Sequence, residues 1–553
     1  MSKIWLKQYP PGIPAEVETK TFPSLVQLFT DCCRRFGSLT AVSHFGARLT
    51  FTELEQQSRY FAAYLQQVLA LKKGSRLAIM LPNLMQYYIA MLGGLRAGLI
   101  IVNLNPLYTA VELEHQLIDS GAETLVVLAN VADKVEQVLS KTALKTVVIT
   151  EVGDLLGRCQ ALGLHLYLKY IKRQLPRVQI PGALKFKHLL AAGRRCIFQA
   201  VPLTPEDIAY LQYTGGTTGT PKGAMLTHGN LVANILQTTT WLHNEHFQAG
   251  QETAVVSLPL YHIFSLTVCL WCFLYKGFNA LLITDPRDIA TFIRQLRKNP
   301  WTILVGINTL FLHLLNQPQF RQLDFKTLKL VVAGGAPVQE TIAEEWFKLT
   351  GSRIIEGYGL TEASPVVTVN PLNVTTFHHS IGLPLPSTDV MIRDQGQDVG
   401  PGEYGELLVK GPQVMLGYWN NPAETQAVFS QDGWLQTGDI GYYDAQGFFY
   451  LVDRKKDMIL VSGFNVYPSE VEAVLMHHPH IREAAVVGVP DAVTGEAVKA
   501  FIVKKEAALS AVEVKRFCSQ YLTGYKLPKW IEFVTSLPKS TVGKVLRRVL
   551  KSS

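Results

Sequence analysis

Apolar residues in this chain come in short unbroken runs, separated by helix-length stretches that carry one apolar face. Arg76-Leu77-Ala78-Ile79-Met80-Leu81 is such a run, closed by Pro82 and followed by a helical pattern from Met85 to Leu95. Leu99–Leu104 repeats the strand and Glu112 to Ser120 the helix, and Thr124–Leu128 and Thr146–Ile149 continue the alternation. Strands buried on both faces and interleaved with helices predict parallel α/β sheets. Ile303–Val305 and Leu328–Gly335 resume the pattern. Upstream, residues 21–70 read as helical and amphipathic, entered at Phe22-Pro23-Ser24 with Leu25, Leu28 and Phe29 on one face. From about Gly382 the pattern changes. Short β runs such as Glu406–Val409 and Phe448–Val452 alternate with Gly- and Pro-rich turns, which predicts a small β unit. After Asp453-Arg454-Lys455-Lys456 the chain reads β-α-β, with helices at 468–478 and 510–522, a small α+β domain of its own.

The 553 residues are too many for one core, and 48% hydrophobic with 17% charged residues leaves ample material for several. Seven cysteines, an odd number without framework spacing, predict reduced thiols in a cytoplasmic setting. Cys269 and Cys272 form a CxxC inside an apolar run, which reads as core packing. The start, Met1-Ser2-Lys3-Ile4-Trp5, lacks the charged and apolar blocks of a signal peptide. From Val255 to Tyr275 there are 21 residues without Asp, Glu, Lys or Arg, long enough to cross a bilayer. Pro259-Leu260-Tyr261-His262 breaks that stretch, and Asp285, Arg287 and Asp288 follow it. It reads as a strand, a turn and a buried helix.

The net charge of +8 is concentrated. Between Leu155 and Pro205 there is no acidic residue, against nine basic ones: Arg158, Lys169, Lys172, Arg173, Arg177, Lys185, Lys187, Arg194 and Arg195. Leu164, Leu166, Tyr167, Leu168, Tyr170, Ile171 and Leu175 are interleaved with them. That combination suits an anionic membrane surface, with a solvated loop as the plain alternative. No zinc-finger, RNP-type or helix-turn-helix pattern accompanies it, so nucleic acid is not expected as a partner.

The densest chemistry lies from Tyr213 to Gly223, where eleven positions hold four glycines, four threonines and one lysine. Glycines let backbone N–H groups approach a ligand, threonines add hydroxyl donors, and Lys222 adds a full charge. The loop suits a polyanion such as a nucleotide's phosphates. It is not a Walker loop, because Pro221 precedes the lysine and Gly223 follows it. Gly357-Tyr358-Gly359 starts like a dinucleotide fingerprint, but Glu362 stands where the third glycine belongs. His378-His379 and His477-His478-Pro479-His480 lack a third spaced ligand and read as surface histidines.

Tyr213–Gly223, Glu356–Glu362, Thr437-Gly438-Asp439, Asp453–Asp457 and Pro538–Lys544 together, in that order, closely resemble the adenylate-forming enzymes. These include acyl-CoA synthetases, luciferases and peptide-synthetase adenylation domains. The resemblance spans essentially the whole chain. Ile4-Trp5-Leu6 with Tyr9-Pro10, Asn103–Tyr108, Val461–Pro468 and the stretch Asp432–Lys456 narrow it to the bacterial long-chain fatty acid:CoA ligases. It implies a large adenylating domain over 1–452, a hinge at 453–456 and a mobile C-terminal domain over 457–553. It implies that ATP, Mg²⁺, coenzyme A and a long-chain fatty acid are bound, and that the acid is joined to the thiol through an acyl-adenylate. Thr214, Gly215, Gly216, Thr217, Thr218, Gly219 and Lys222, next to Tyr213, are then expected on the β- and γ-phosphates. Glu362 with Thr214 is expected on Mg²⁺ and Thr361 on the α-phosphate. Gly335, Ala336, Gly357, Tyr358 and Gly359 would form the adenine slot, and Asp439 and Arg454 would take the ribose. Lys544 would stabilise the charge of adenylation, Lys456 would be the pivot, and His262 would stand beside the substrate carboxylate. Phe264, Leu266, Val305, Gly306, Asn308, Thr309 and Phe311 are candidates for the acyl tunnel. Expected partners further include a second copy of the chain, and the expected location is cytoplasmic, peripheral on the inner membrane. A fatty acyl-AMP ligase, a medium-chain or aryl-CoA ligase, and a non-catalytic lipid-binding relative remain open alternatives at this stage.

Overall fold

The apolar runs become the parallel centres of two sheets in the computed structural model, which describes residues 3–214, 221–243, 246–374, 376–505, 509–540 and 545–551. Among those residues, Arg76–Met80, Ile100–Asn103, Thr124–Leu128, Thr146–Thr150 and Ile208–Tyr213 run parallel in an eight-stranded sheet. Thr253–Val256, Asn279–Leu282, Ile303–Gly306, Leu330–Ala333 and Ile354–Gly359 do the same in a nine-stranded one. Each sheet acquires antiparallel strands towards one side, Gly223–Thr227 in the first and Val366–Val369 in the second. Side chains from both sheets join one core, together with the helices Met85–Arg96 and His228–Trp241. Every residue of Met85–Arg96 is buried, as a helix apolar on all sides should be.

Local chemistry sets the helix starts. Thr109 and Glu112 form a capping box: the Thr109 hydroxyl accepts the Glu112 N–H, and the Glu112 carboxylate accepts the Thr109 N–H at 2.8 Å. The same device starts Phe51–Gln67 at Thr50 and Glu53. The uncharged Val255–Tyr275 stretch is a strand end, a turn and the buried helical turns Ser265–Trp271 and Cys272–Lys276. No described helix is long and apolar enough to cross a membrane. Cys269 and Cys272 are buried free thiols, as expected of core packing.

Residues 21–70 are not helical throughout. Leu25–Phe36 and Phe51–Gln67 are helices, but Thr40–His44 and Ala47–Thr50 between them form an antiparallel hairpin on the edge of the nine-stranded sheet. Phe45 and Gly46 both take positive φ, 47° and 85°, and a two-residue turn of that kind matches the twist of the strands it joins.

The small β unit is antiparallel, built on Asp389–Asp394, Gly405–Lys410, Leu435–Tyr443 and Phe449–Arg454. The C-terminal unit has its own sheet and core. Ile459–Val461, Ile481–Asp491 and Gly495–Lys504 pair antiparallel, Trp530–Phe533 adds a parallel strand, and Pro468–Met476 and Ala511–Cys518 cover it. His478 is buried there, its ring edge-on to Phe517, so it is not the surface histidine its polar neighbours suggest.

Burial also fixes the charge state of two histidines in the large body. His44, bonded to the Thr284 hydroxyl, is pushed down to about 3 by burial, and His228, whose Nδ1 accepts the Leu25 N–H, to about 4. Both stay neutral in the folded chain, whereas the unfolded chain protonates them near 6.5. Unfolding therefore takes up protons as pH falls below 6.5, and stability declines until the folded values are passed. Each histidine contributes a slope of about 1.4 kcal/mol per pH unit. Urea midpoints measured from pH 7 to 4.5 should fall accordingly, and His228→Asn should remove about one proton from that slope.

Candidate active site

The loops at the carboxyl ends of the parallel strands converge on one cavity of about 1120 Å³. In open α/β sheets this is where ligands bind. The stem of the glycine–threonine loop is held by the pairing of Ile208–Tyr213 with Gly223–Thr227, and by the Thr214 N–H donating to the Lys222 carbonyl at 2.9 Å. Tyr213, Thr214 and Lys222 line the cavity. Gly215, Gly216, Thr217, Thr218 and Gly219 lie outside the described residues, as does Lys544. The Tyr213 hydroxyl points away from a ligand role, donating to Asp119 at 2.5 Å.

Across the cavity, Ile354–Gly359 ends in the motif Gly357-Tyr358-Gly359, all three on the wall, with Thr361 and Glu362 on the short turn beyond. Gly359 is required: a Cβ there would lie 2.1 Å from the Pro365 carbonyl oxygen. Gly335, with φ at 79°, also lines the cavity, while Ala336 beside it is not part of the wall. His262 is half-buried on the edge of the cavity, and the protein around it pushes it down to about 4. Its Nδ1 accepts the Phe264 N–H at 3.3 Å, so the neutral ring carries its proton on Nε2. The segment bearing it is pinned by buried amides. Asn83 donates to the carbonyls of Val256 and Leu258 and accepts the Leu260 N–H, and Gln212 donates to the Tyr261 carbonyl at 2.6 Å.

Asp439 sits behind the wall rather than on it. It is 5% exposed, accepts the Tyr358 hydroxyl at 2.6 Å, and pairs with the Arg454 guanidinium at 2.6 Å. Asp439 and Arg454 are register partners on neighbouring antiparallel strands, which is why the pair forms. Burial holds the Tyr358 phenol well above its ordinary range, and Asp439 adds to it, so the hydroxyl stays a donor. Arg454 and Lys456 line the cavity, and so do Lys539, Ser540 and Val545 from the C-terminal unit.

Two contacts have no local signal in the sequence. Tyr418 donates its hydroxyl to Glu362 at 2.6 Å, and Glu424 pairs with Lys222, whose ammonium lies 5.3 Å from the Tyr418 ring centre. Tyr418 is 56 residues from Glu362 and Glu424 is 202 residues from Lys222, and only the fold brings them together. Of the tunnel candidates, Phe264 faces the cavity, and Val305 lines a small apolar cavity that shares Leu242, Val268 and Val332 with it. Leu266 and Phe311 are core residues, and Gly306, Asn308 and Thr309 are not on either wall.

The chain matches the AMP-binding enzyme model over residues 29–419 and the AMP-binding enzyme C-terminal domain model over 470–544. It is 51% identical to a long-chain-fatty-acid--CoA ligase of Yersinia pestis, over 100% of this chain and 98% of that protein. Among solved structures it resembles ATP-bound MatB from Rhodopseudomonas palustris, with a TM-score of 0.82, 28% identity, and 95% and 98% of the two chains covered. It also resembles the anthranilate CoA ligase AuaEII in complex with anthranoyl-AMP, with a TM-score of 0.83, 25% identity, and 97% and 98% covered. With both domain models matched and a relative of such identity along its full length, the chain belongs to the AMP-binding enzymes.

Proposed function

We propose that this enzyme activates long-chain fatty acids to acyl-CoA in two steps within the one cavity. The observation that carries the reading is the convergence of Thr214, Lys222, Gly335, Thr361, Glu362, Arg454 and Lys456 on a single cavity from widely spaced motifs. In the first step a carboxylate oxygen bonds to the α-phosphorus of ATP and the bond to the bridging oxygen breaks, releasing pyrophosphate. This step needs charge stabilisation more than a protein nucleophile. Lys222 and the adjoining loop take the β- and γ-phosphates, displacing Glu424 from the ammonium. Thr361 holds the α-phosphate, and Arg454 with Asp439 behind it takes the ribose. Neutral His262 donates from Nε2 towards the carboxylate, and Lys544 supplies charge to the transition state. In the second step the coenzyme A sulfur bonds to the carbonyl carbon, the bond from that carbon to the phosphate oxygen breaks, and AMP leaves as the thiol gives up its proton.

Among the described residues no group of three or more His, Cys, Asp or Glu could cage a metal. Mg²⁺ is usually held by one or two carboxylates together with substrate phosphates, and Glu362 and Thr214 on the cavity wall fit that pattern. Glu362, oriented by Tyr418, and the Thr214 hydroxyl would hold it, and it would neutralise phosphate charge. The acyl chain enters between Leu242, Val268 and Val332 into the apolar space lined by Val305. The small C-terminal domain turns between the steps at Lys456, the pivot of the 453–456 hinge, whose first two residues close the strand Phe449–Arg454 and stay with it.

The region 155–205 supports docking on an anionic bilayer, where long-chain acids partition. The helix Arg158–Leu166 and its continuation Tyr167–Ile171 turn Leu164 and Leu168 inward. Leu162, Leu166 and Tyr170, four residues apart, are exposed along one face, beside Tyr167 and a 70% exposed Ile171. Lys169, Lys172 and Arg173 flank them. A basic side chain near such a surface contributes about 1 kcal/mol.

A panel of C6 to C20 acids, scored by AMP release with and without coenzyme A, tests the reaction, and an ATP left whole by every acid sinks it. Lys544→Ala should abolish acid-dependent pyrophosphate exchange yet keep thiol attack on supplied acyl-adenylate. Vesicles rich in phosphatidylserine should co-sediment the enzyme, and replacing Lys169, Lys172 and Arg173 by Gln should cut binding at least tenfold; unchanged binding rules out docking there.

A further inference from the structure

The small β unit ends its last strand at Arg454, and the C-terminal sheet begins at Ile459, so residues 455–458 link the two bodies. Just before that link, Asp453 reaches across. Its side chain is 2% exposed; one carboxylate oxygen accepts the Ser469 N–H at 2.7 Å, and the other accepts the Arg547 guanidinium at 3.1 Å. The Ser469 hydroxyl donates back to the Val452 carbonyl. Ser469 opens the first turn of the helix Pro468–Met476, where an anion is favoured, and Arg547 lies two residues beyond Val545 on the cavity wall. Arg547 is also tied within its own body and to the link, by Glu472 at 2.8 Å and Asp457 at 3.5 Å.

We infer that Asp453 is a positioning residue, a latch that holds the C-terminal body in the pose presenting Ser540 and Val545 to the cavity. This rests on the two-step reading above. If the body turns about the link, Asp453 stays with its strand while Ser469 and Arg547 move, so the three bonds open together. Arg547 retains Glu472 as it goes, and the buried guanidinium is never left without a carboxylate. That retained partner keeps the cost of release low enough for turnover. Asp453 therefore sets how the enzyme divides its time between the adenylate-forming pose and the thiol-accepting one.

The latch makes an asymmetric prediction for the two half-reactions, measured separately on the full-length enzyme. Asp453→Asn should lower acid-dependent pyrophosphate exchange about tenfold, the size of one charge-assisted hydrogen bond. Attack of coenzyme A on supplied acyl-adenylate should be unchanged or faster. Ser469→Ala, which spares the buried charge, should shift the two rates the same way by a smaller factor. Tryptic cleavage at the exposed Lys455 and Lys456 should quicken in Asp453→Asn while its thermal midpoint stays near that of the parent enzyme. Equal loss of both half-reactions, or no change in their ratio in either variant, overturns the latch. A parent enzyme without pyrophosphate exchange would instead overturn the two-step reading beneath it.

Discussion

A cavity meant for a triphosphate and a carboxylate must be cleared of negative charge, yet several acids stand on or close behind its walls. The structure resolves this by giving each acid a partner of its own. Glu362 accepts the Tyr418 hydroxyl, Asp439 is shared by Tyr358 and Arg454, and Glu406 is bonded by the Gly438 N–H and Lys455. Glu424 neutralises Lys222, and Asp119 takes the Tyr213 hydroxyl. Several of these partners are neutral hydroxyls or peptide N–H groups, which orient a carboxylate without erasing its charge. The bonded acids can thus still attract a cation or a ribose while being denied the freedom to swing towards phosphate.

The fold supplies the partners because it brings distant strands to one edge. Parallel strands end at the same side of a sheet, so their connecting loops cluster regardless of separation in sequence. Glu362 and Tyr418 come from either side of the small β unit's first strands, and Asp439 and Arg454 from two strands of that unit. The two large sheets supply Tyr358 and Tyr418, and the β unit adds Arg454 beside its own Asp439.

What the sequence discloses follows the same division. Residues whose backbone chemistry is unusual were legible: Gly359 sits where a carbonyl leaves no room for a Cβ, and the stem around Lys222 reads as a phosphate loop from its composition alone. The alternation of apolar runs and helices disclosed both large sheets, because a strand buried on two faces has no other pattern. The Thr40–Thr50 hairpin stayed hidden because it is short and wedged between two strongly amphipathic helices, with Phe45-Gly46 its sole turn signal. Tyr418 and Glu424 were invisible for a different reason. A tyrosine and a glutamate on an ordinary strand and helix start carry no local mark, and their meaning arises only from what lies across the cavity. Leu266 and Phe311 show the converse: proximity in sequence to a site does not decide on which side of a sheet a side chain falls.

If one small body serves both reactions, as proposed above, a further condition falls on its attachments. Contacts that hold it in the first pose must be strong enough to exclude water from the phosphates and weak enough to open on every cycle. An extensive apolar interface would fail the second requirement, since its burial cannot be surrendered piecemeal. A few directional bonds meet both, provided that no buried charge is stranded when they part. The distribution of carboxylates around Arg547 answers that need: one acid from the stationary strand, one on the link, one from the moving helix. On that reading the guanidinium gives up one carboxylate and keeps another, so turning the domain would strand no charge.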